Sequence, residues 1–182
     1  MRLFHVSEEA TISQFVPRPT PSQNAPLERP GVWAIAEETL WMYLVPRDCP
    51  RVAYRYCAEA TAHDIATFLY GDLNKRVIAI EAAWFERCCS TTLYCYEFSD
   101  QHFSLYDKHA LYYVAHTTIK PVAMSVMKQP LQALFERGID VHMLAELWDL
   151  RELIVRTSLS WSIIRMRNAS APSRGYEAYI PV

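Results

Sequence analysis

The sequence predicts an α+β fold in one domain spanning residues 1–182, with a mixed, mostly antiparallel sheet and several helices packed on it. Three observations carry this. Short runs rich in aromatic and β-branched residues outnumber the helical patterns. The helical patterns fall between those runs without the strict alternation of a doubly wound sheet. A length of 182 residues suits a single domain.

The elements follow in chain order. Met1 to Ser7 reads as a strand containing His5. Val16 to Pro30 then carries Pro17, Pro19, Pro21, Pro26 and Pro30, which forbid regular pairing. This proline-rich loop at 16–30 is either a solvated excursion or a lid over a site. Val32 to Ala36 is a short strand. Glu37 and Glu38 suit a helix start, Leu40, Tyr43 and Leu44 share a helical face, and Pro46 ends that helix. Arg51 to Cys57 alternates, with Val52, Tyr54 and Tyr56 on one face. Thr61 and Asp64 have capping-box spacing for a helix that buries Ile65, Phe68 and Leu69 and stops at Gly71.

Arg76 to Glu81, Leu93 to Phe98, Leu111 to Thr117 and Val122 to Met127 read as strands. Pro130 opens a helix that runs to Arg137 and ends at Gly138. Ile139 to Met143 is a short strand, and Leu147, Leu150, Leu153 and Ile154 line another helix. Trp161 to Arg167 is the last clear strand. After Ala169 the tail regains apolar residues only at Tyr179 and Ile180.

Composition excludes several classes. Net charge is −2, so whole-protein attraction to DNA, RNA or an anionic membrane is not expected. No apolar stretch approaches the roughly 20 residues that cross a bilayer. The five cysteines are odd in number, include the adjacent pair Cys88 and Cys89, and form no C-x-x-C pair. They read as reduced thiols of a cytoplasmic protein, and no signal-peptide pattern opens the chain. Oligomeric state is not legible.

His102, His109 and His116 recur every seven residues, but a turn at Asp107-Lys108 and strand geometry near His116 separate them, which argues against a metal site. Cys49 lies between Arg47 and Arg51, an electropositive setting, yet a turn with a small buried residue explains it as well. The arginines carry more. Arg165 and Arg167, two apart, share a face if that segment is a strand. Residues 151–174 hold five arginines against one acid. A guanidinium fork suits carboxylate or phosphate, so a small anionic or nucleotide ligand is expected.

Two resemblances arise from these residues. Leu3-Phe4-His5-Val6-Ser7-Glu8-Glu9, Val32-Trp33-Ala34-Ile35, Pro46-Arg47-Asp48-Cys49-Pro50-Arg51-Val52 and Ser162-Ile163-Ile164-Arg165-Met166-Arg167-Asn168-Ala169 resemble a family of small bacterial proteins classed as a domain of unknown function. That likeness covers nearly the whole chain and supplies no activity. The second is remote and partial. His5-Val6-Ser7, and Gly31-Val32-Trp33-Ala34 leading to Tyr43, resemble the His-Tyr-Glu branch of the ADP-ribosyltransferase superfamily.

That second resemblance implies an NAD ligand. It makes His5 a ribose anchor beside Ser7, Tyr43 a ring that stacks on nicotinamide, and Glu177 the carboxylate that stabilises an oxocarbenium-like transition state. Glu81 and Glu97 are the alternatives to Glu177. Arg47, Arg165 and Arg167 would face the phosphates. The chain departs from the pattern where Val6 replaces a glycine and where Glu37-Glu38 replaces a serine-rich turn. A non-catalytic interaction module, motivated by 13% aromatic residues, and a small anionic-metabolite binder are the competing readings.

Overall fold

Side-chain alternation along the strands decides how this chain is layered. In the computed structural model, residues 1–20 and 27–172 are described. In chain order the strands are β1 (Arg2–Ser7), β2 (Val32–Ala36), β3 (Arg51–Arg55), β4 (Arg76–Glu81), β5 (Leu93–Ser99), β6 (Ser104–Asp107), β7 (Tyr112–Ala115), β8 (Ala123–Met127), β9 (Asp140–Leu144) and β10 (Ser160–Ile164). The α-helices are α1 (Ala62–Leu69), α2 (Phe85–Ser90), α3 (Pro130–Glu136) and α4 (Trp148–Ile154). The fold is α+β.

The strands divide between two sheets. One has the order β6-β7-β2-β1-β5-β8 and is antiparallel throughout. The other has the order β10-β3-β4-β9, parallel only between β4 and β9. Parity along β3 explains the division. Val52 and Tyr54 turn outward to a cluster with Leu69 of α1 and with Leu147 and Ile154 of the α4 region, while Ala53 turns inward. There it joins Ile78 and Ile80 of β4, and Phe4 and Cys95 of the larger sheet, in a core that ties the two sheets together. The outer face of the larger sheet buries Leu3, Tyr96 and Phe98 under Ile12 and Phe15.

The capping signals hold. Thr61 Oγ1 accepts from the Asp64 amide at 3.2 Å. Tyr70 and Gly71 both take positive φ at the end of α1. The segment after β2 differs from the expected helix, since Glu37–Tyr43 is a 3-10 helix. It buries Thr39, Trp41 and Met42 and leaves Tyr43 half-buried. The last strand also stops early. β10 ends at Ile164, Arg165 takes φ 58°, and Met166–Asn168 form a 3-10 turn. Among the described residues no helix is long and apolar enough to cross a membrane.

The described part of the proline-rich loop is pinned by backbone pairs. Phe15 and Ile119 exchange hydrogen bonds at 2.8 and 2.9 Å, and Arg18 and Gly31 at 3.1 and 3.0 Å. Pro21 and Pro26 lie outside the described residues. Gly31 has no room for a side chain: a Cβ there would sit 2.6 Å from Val114 Cγ1 and 2.9 Å from Leu27 Cδ1. Gly31→Ala is expected to destabilise the fold by about 1–3 kcal/mol through overpacking. A lowered urea midpoint at unchanged m-value is the readout, and an unshifted midpoint contradicts the close approach.

Candidate functional site

The site begins where two neighbouring strands part. β1 and β2 pair only at Leu3↔Ala36 and Phe4↔Ile35. Beyond Phe4 the Trp33 carbonyl has no ladder partner on β1, and His5 takes it instead, with Nδ1 3.0 Å from the oxygen. A carbonyl can only accept, so Nδ1 carries the hydrogen and the neutral ring keeps Nε2 as an acceptor. Burial pushes the imidazole pKa down, the Trp33 bond opposes this, and the charges of Arg47 and Arg18 push it down further. The ring packs on Phe15 at 4.9 Å between centroids. Ser7 ends the strand, buried, with Oγ accepting from the Glu9 amide at 3.1 Å.

Tyr43 sits at the end of the 3-10 helix. The guanidinium of Arg51 lies over its ring, 5.0 Å from the centroid. Its ring meets that of Tyr112 edge-on at 6.1 Å, and the Tyr112 hydroxyl lies 2.6 Å from Ser162 Oγ. Burial raises the Tyr43 pKa, against the nearby charges of Arg51 and Arg165. Trp33 meets Tyr112 edge-on at 6.2 Å and Tyr106 at 4.9 Å. The Trp33 indole Nε1 is buried without an acceptor.

The expected placement of Arg165 and Arg167 is overturned. A shared strand face does not exist, because the chain leaves β10 at Ile164 and turns through the left-handed Arg165. The turn folds this segment over residues 47–48. Arg165 Nε lies 3.4 Å from the Arg47 carbonyl and 3.7 Å from Asp48 Oδ1, and Asn168 Nδ2 donates to the Asp48 carbonyl at 2.7 Å. Burial depresses the Arg165 pKa, and the charges of Arg167 and Arg47 depress it further, against Asp48 and Tyr43. Arg47 thus acts electrostatically on both His5 and Arg165, and Arg165 acts on Tyr43. The His5 ring packs with Phe15 on the outer face of the larger sheet, whereas Tyr43 packs on the core between the sheets, so only the charges of Arg47 and Arg165 relate the two.

The model of a family of unknown function, DUF6886, matches residues 4–169. The chain belongs to that family. No curated protein and no solved structure matches it.

In this DUF6886 chain the remaining candidates fall elsewhere. Glu177 and Arg174 lie outside the described residues. Glu97 is bound by Arg2, at 3.0 and 2.9 Å. Glu81 is buried and accepts the Ser170 amide at 2.9 and 3.1 Å and its hydroxyl at 3.0 Å, which ties down the segment after Arg167. Arg151 and Arg156 pair with Glu152 on α4. Cys49 is buried, beside the buried Cys88, and its thiol pKa is raised, which disfavours a nucleophilic role. His102, His109 and His116 belong to no metal-ligating group among the described residues, and His116 Nδ1 instead meets the Pro30 carbonyl at 2.9 Å.

Two contributors escaped the sequence. Arg18 lies inside the proline-rich stretch, where no periodicity marks it. Arg51 shares parity with Ala53, so it is buried once a second sheet covers that face, and it is 2% exposed. It donates to the carbonyls of Met42 at 3.0 Å and Cys49 at 2.9 Å.

The depressed His5 pKa has a measurable consequence. The folded imidazole holds its proton more weakly than the unfolded one, so below about pH 6.5 the unfolded chain binds more protons. The contribution of His5 is therefore complete above that pH and declines on acidification toward the lower folded pKa. His5→Asn keeps an amide donor for Trp33 and cannot titrate. Urea midpoints measured from pH 7 to pH 5 should fall more steeply for the parent than for His5→Asn, and parallel curves would contradict the buried neutral imidazole.

Proposed function

We propose that this chain binds NAD or a related nucleotide in the split between β1 and β2, as a relative of the ADP-ribosyltransferases. The observation that supports the reading is the Arg165–Asn168 turn docked on residues 47–48, with Arg165 Nε 3.4 Å from the Arg47 carbonyl and its charge bearing on Tyr43. Ligand sites combine mostly apolar walls with a few convergent polar groups. Here Trp33, Tyr43 and Tyr112 supply aromatic surface, and three guanidinium groups supply phosphate recognition. The unpartnered Trp33 Nε1 is a donor for which a bound ligand would bring an acceptor.

Each residue has a physical task in this reading. His5 presents Nε2 as an acceptor to a ribose hydroxyl. Tyr43, held by Arg51, offers a ring for stacking. Arg47, Arg165 and Arg167 face the pyrophosphate. Cleaving the nicotinamide glycosidic bond would build positive charge at the ribose carbon, and a carboxylate must stabilise it. Glu177 is the residue for that role, since Glu81 and Glu97 are held by Ser170 and Arg2.

A small anionic metabolite would use the same arginines without needing the imidazole or the stacked ring. An interaction module gains less support, because the exposed aromatic residues Tyr70, Phe85, Tyr106, Phe135 and Trp161 sit on different parts of the fold.

The test is ligand-dependent unfolding. NAD at a hundredfold excess over its Kd should add about 2.7 kcal/mol of stability and raise Tm. Arg47→Gln with Arg165→Gln should remove the shift, and His5→Asn or Tyr43→Phe should weaken it at least fivefold in Kd. No shift with millimolar NAD overturns the reading. Loss in the arginine variants alone favours the anionic metabolite. Glu177→Gln should keep the NAD shift while abolishing any nicotinamide release followed by chromatography.

A further inference from the structure

At the opposite end of β3 from the Arg47 turn lies a second concentration of positive charge. Arg51, Ala53 and Arg55 share parity, and so do Arg76, Ile78 and Ile80 on β4. The register pairs Ala53 with Ile78 and Arg55 directly with Arg76. The apolar row between the sheets therefore ends in two arginines at directly opposite register positions on neighbouring antiparallel strands. Like charges placed directly opposite are destabilising. They persist where a counter-anion offsets them.

The resident counter-charge is incomplete. Glu38, on the 3-10 helix, pairs with Arg55, and its own side chain is 63% exposed. Lys75 pairs with Asp140. Arg76 donates to a neutral acceptor, the Arg137 carbonyl. Arg55 Nε is buried and has no acceptor. Glu38, Arg55, Lys75 and Arg76 border an open cavity of about 290 Å³, whose wall is completed by Tyr56, Leu73 and Asn74. Its size suits a small molecule. Its lining combines cations with an aromatic ring and an aliphatic side chain.

We propose that this cavity is a second ligand site, for a small organic phosphate whose dianionic group bridges Arg55 and Arg76. The guanidinium fork recognises phosphate oxygens in pairs, and a dianion matches two arginines better than one carboxylate does. Lys75 adds a third positive charge at the rim, and Asn74 an amide donor. Tyr56 and Leu73 cover the organic part. Glu38 competes with the ligand for Arg55, so it sets the affinity from the protein side. The site is independent of the nucleotide reading. Arg55 is four residues along β3 from Arg51, roughly 13 Å at strand rise, and it shares none of the groups assigned there.

Phenyl phosphate is the probe, titrated by calorimetry into the full chain at constant ionic strength, with benzoate in parallel. Saturable binding of phenyl phosphate at this site is expected to persist in Arg47→Gln with Arg165→Gln, where two of the arginines assigned to the pyrophosphate are removed, and to weaken at least tenfold when Arg76→Gln is added. In Glu38→Gln it should tighten severalfold, because the competing carboxylate is gone. Arg47→Gln with Arg165→Gln should leave it unchanged, which separates this site from the nucleotide site. Far-UV circular dichroism checks that each variant folds. If Arg76→Gln does not, the Glu38→Gln arm decides alone. Binding that is not saturable, or that is unchanged or weaker in Glu38→Gln, overturns the site. Tighter binding of benzoate than of phenyl phosphate overturns the assignment to phosphate.

Discussion

The architecture around the candidate site hangs on one buried cation. Arg51 is 2% exposed, and its partners are the carbonyls of Met42 and Cys49 and the face of Tyr43. Removing a guanidinium from water costs several kcal/mol. Two charge-assisted hydrogen bonds return about 1.5–3 kcal/mol each, and a desolvated cation–π contact about 2. The balance is near even, so the value of Arg51 lies in geometry more than in net stability. It fixes the end of the 3-10 helix, the Pro46–Pro50 turn and the start of β3 relative to one another. Through them it orients Tyr43 and presents Arg47, against which Arg165 and Asn168 then dock.

The second constraint is the separation of β1 from β2. Antiparallel neighbours normally continue their ladder until one strand ends. Here the ladder stops after two residue pairs although both strands continue, and each strand keeps its other partner, β5 or β7. A buried carbonyl left unpaired by such a gap costs about 1–3 kcal/mol. The His5 ring meets that demand at Trp33 and becomes tied to one tautomer in doing so. The same bond fixes which nitrogen faces away. Local hydrogen-bond satisfaction and the chemistry available at the site are one arrangement.

Much of the fold was legible because its signals are local. Val32–Ala36 and Arg76–Glu81 lie where alternation and β-branched content put them. Thr61 caps α1 as its spacing requires, and Pro130 opens α3. The misses have physical causes. Glu37–Tyr43 carries helix-like periodicity, but seven residues squeezed between β2 and the Pro46 turn wind as a 3-10 helix. α2 and the short β6 gave no periodic pattern long enough to read. The division into two sheets is tertiary: nothing in the alternation of β3 says that the Arg51, Ala53 and Arg55 face will be covered. The expected strand face for Arg165 and Arg167 is overturned, since β10 ends at Ile164 and Arg165 takes a left-handed backbone that no side-chain pattern announces.

Charge distribution ties both ends of β3 together. Over the whole chain acids exceed bases by two, yet the inner face of β3 and β4 carries three arginines and only alanine and isoleucine beside them. Among the described residues, only Arg55 of the three has a carboxylate partner, Glu38, which reaches it from outside the face. Exposed ion pairs of that kind are worth about 0–1 kcal/mol, too little to justify gathering cations at the rim of a core on stability grounds. An apolar pair at the Arg55–Arg76 position would extend the row of Ala53, Ile78 and Ile80. That the row ends in arginines at one end of β3, and begins with a buried arginine at the other, is explained better by what these groups hold in place or attract than by what they add to folding.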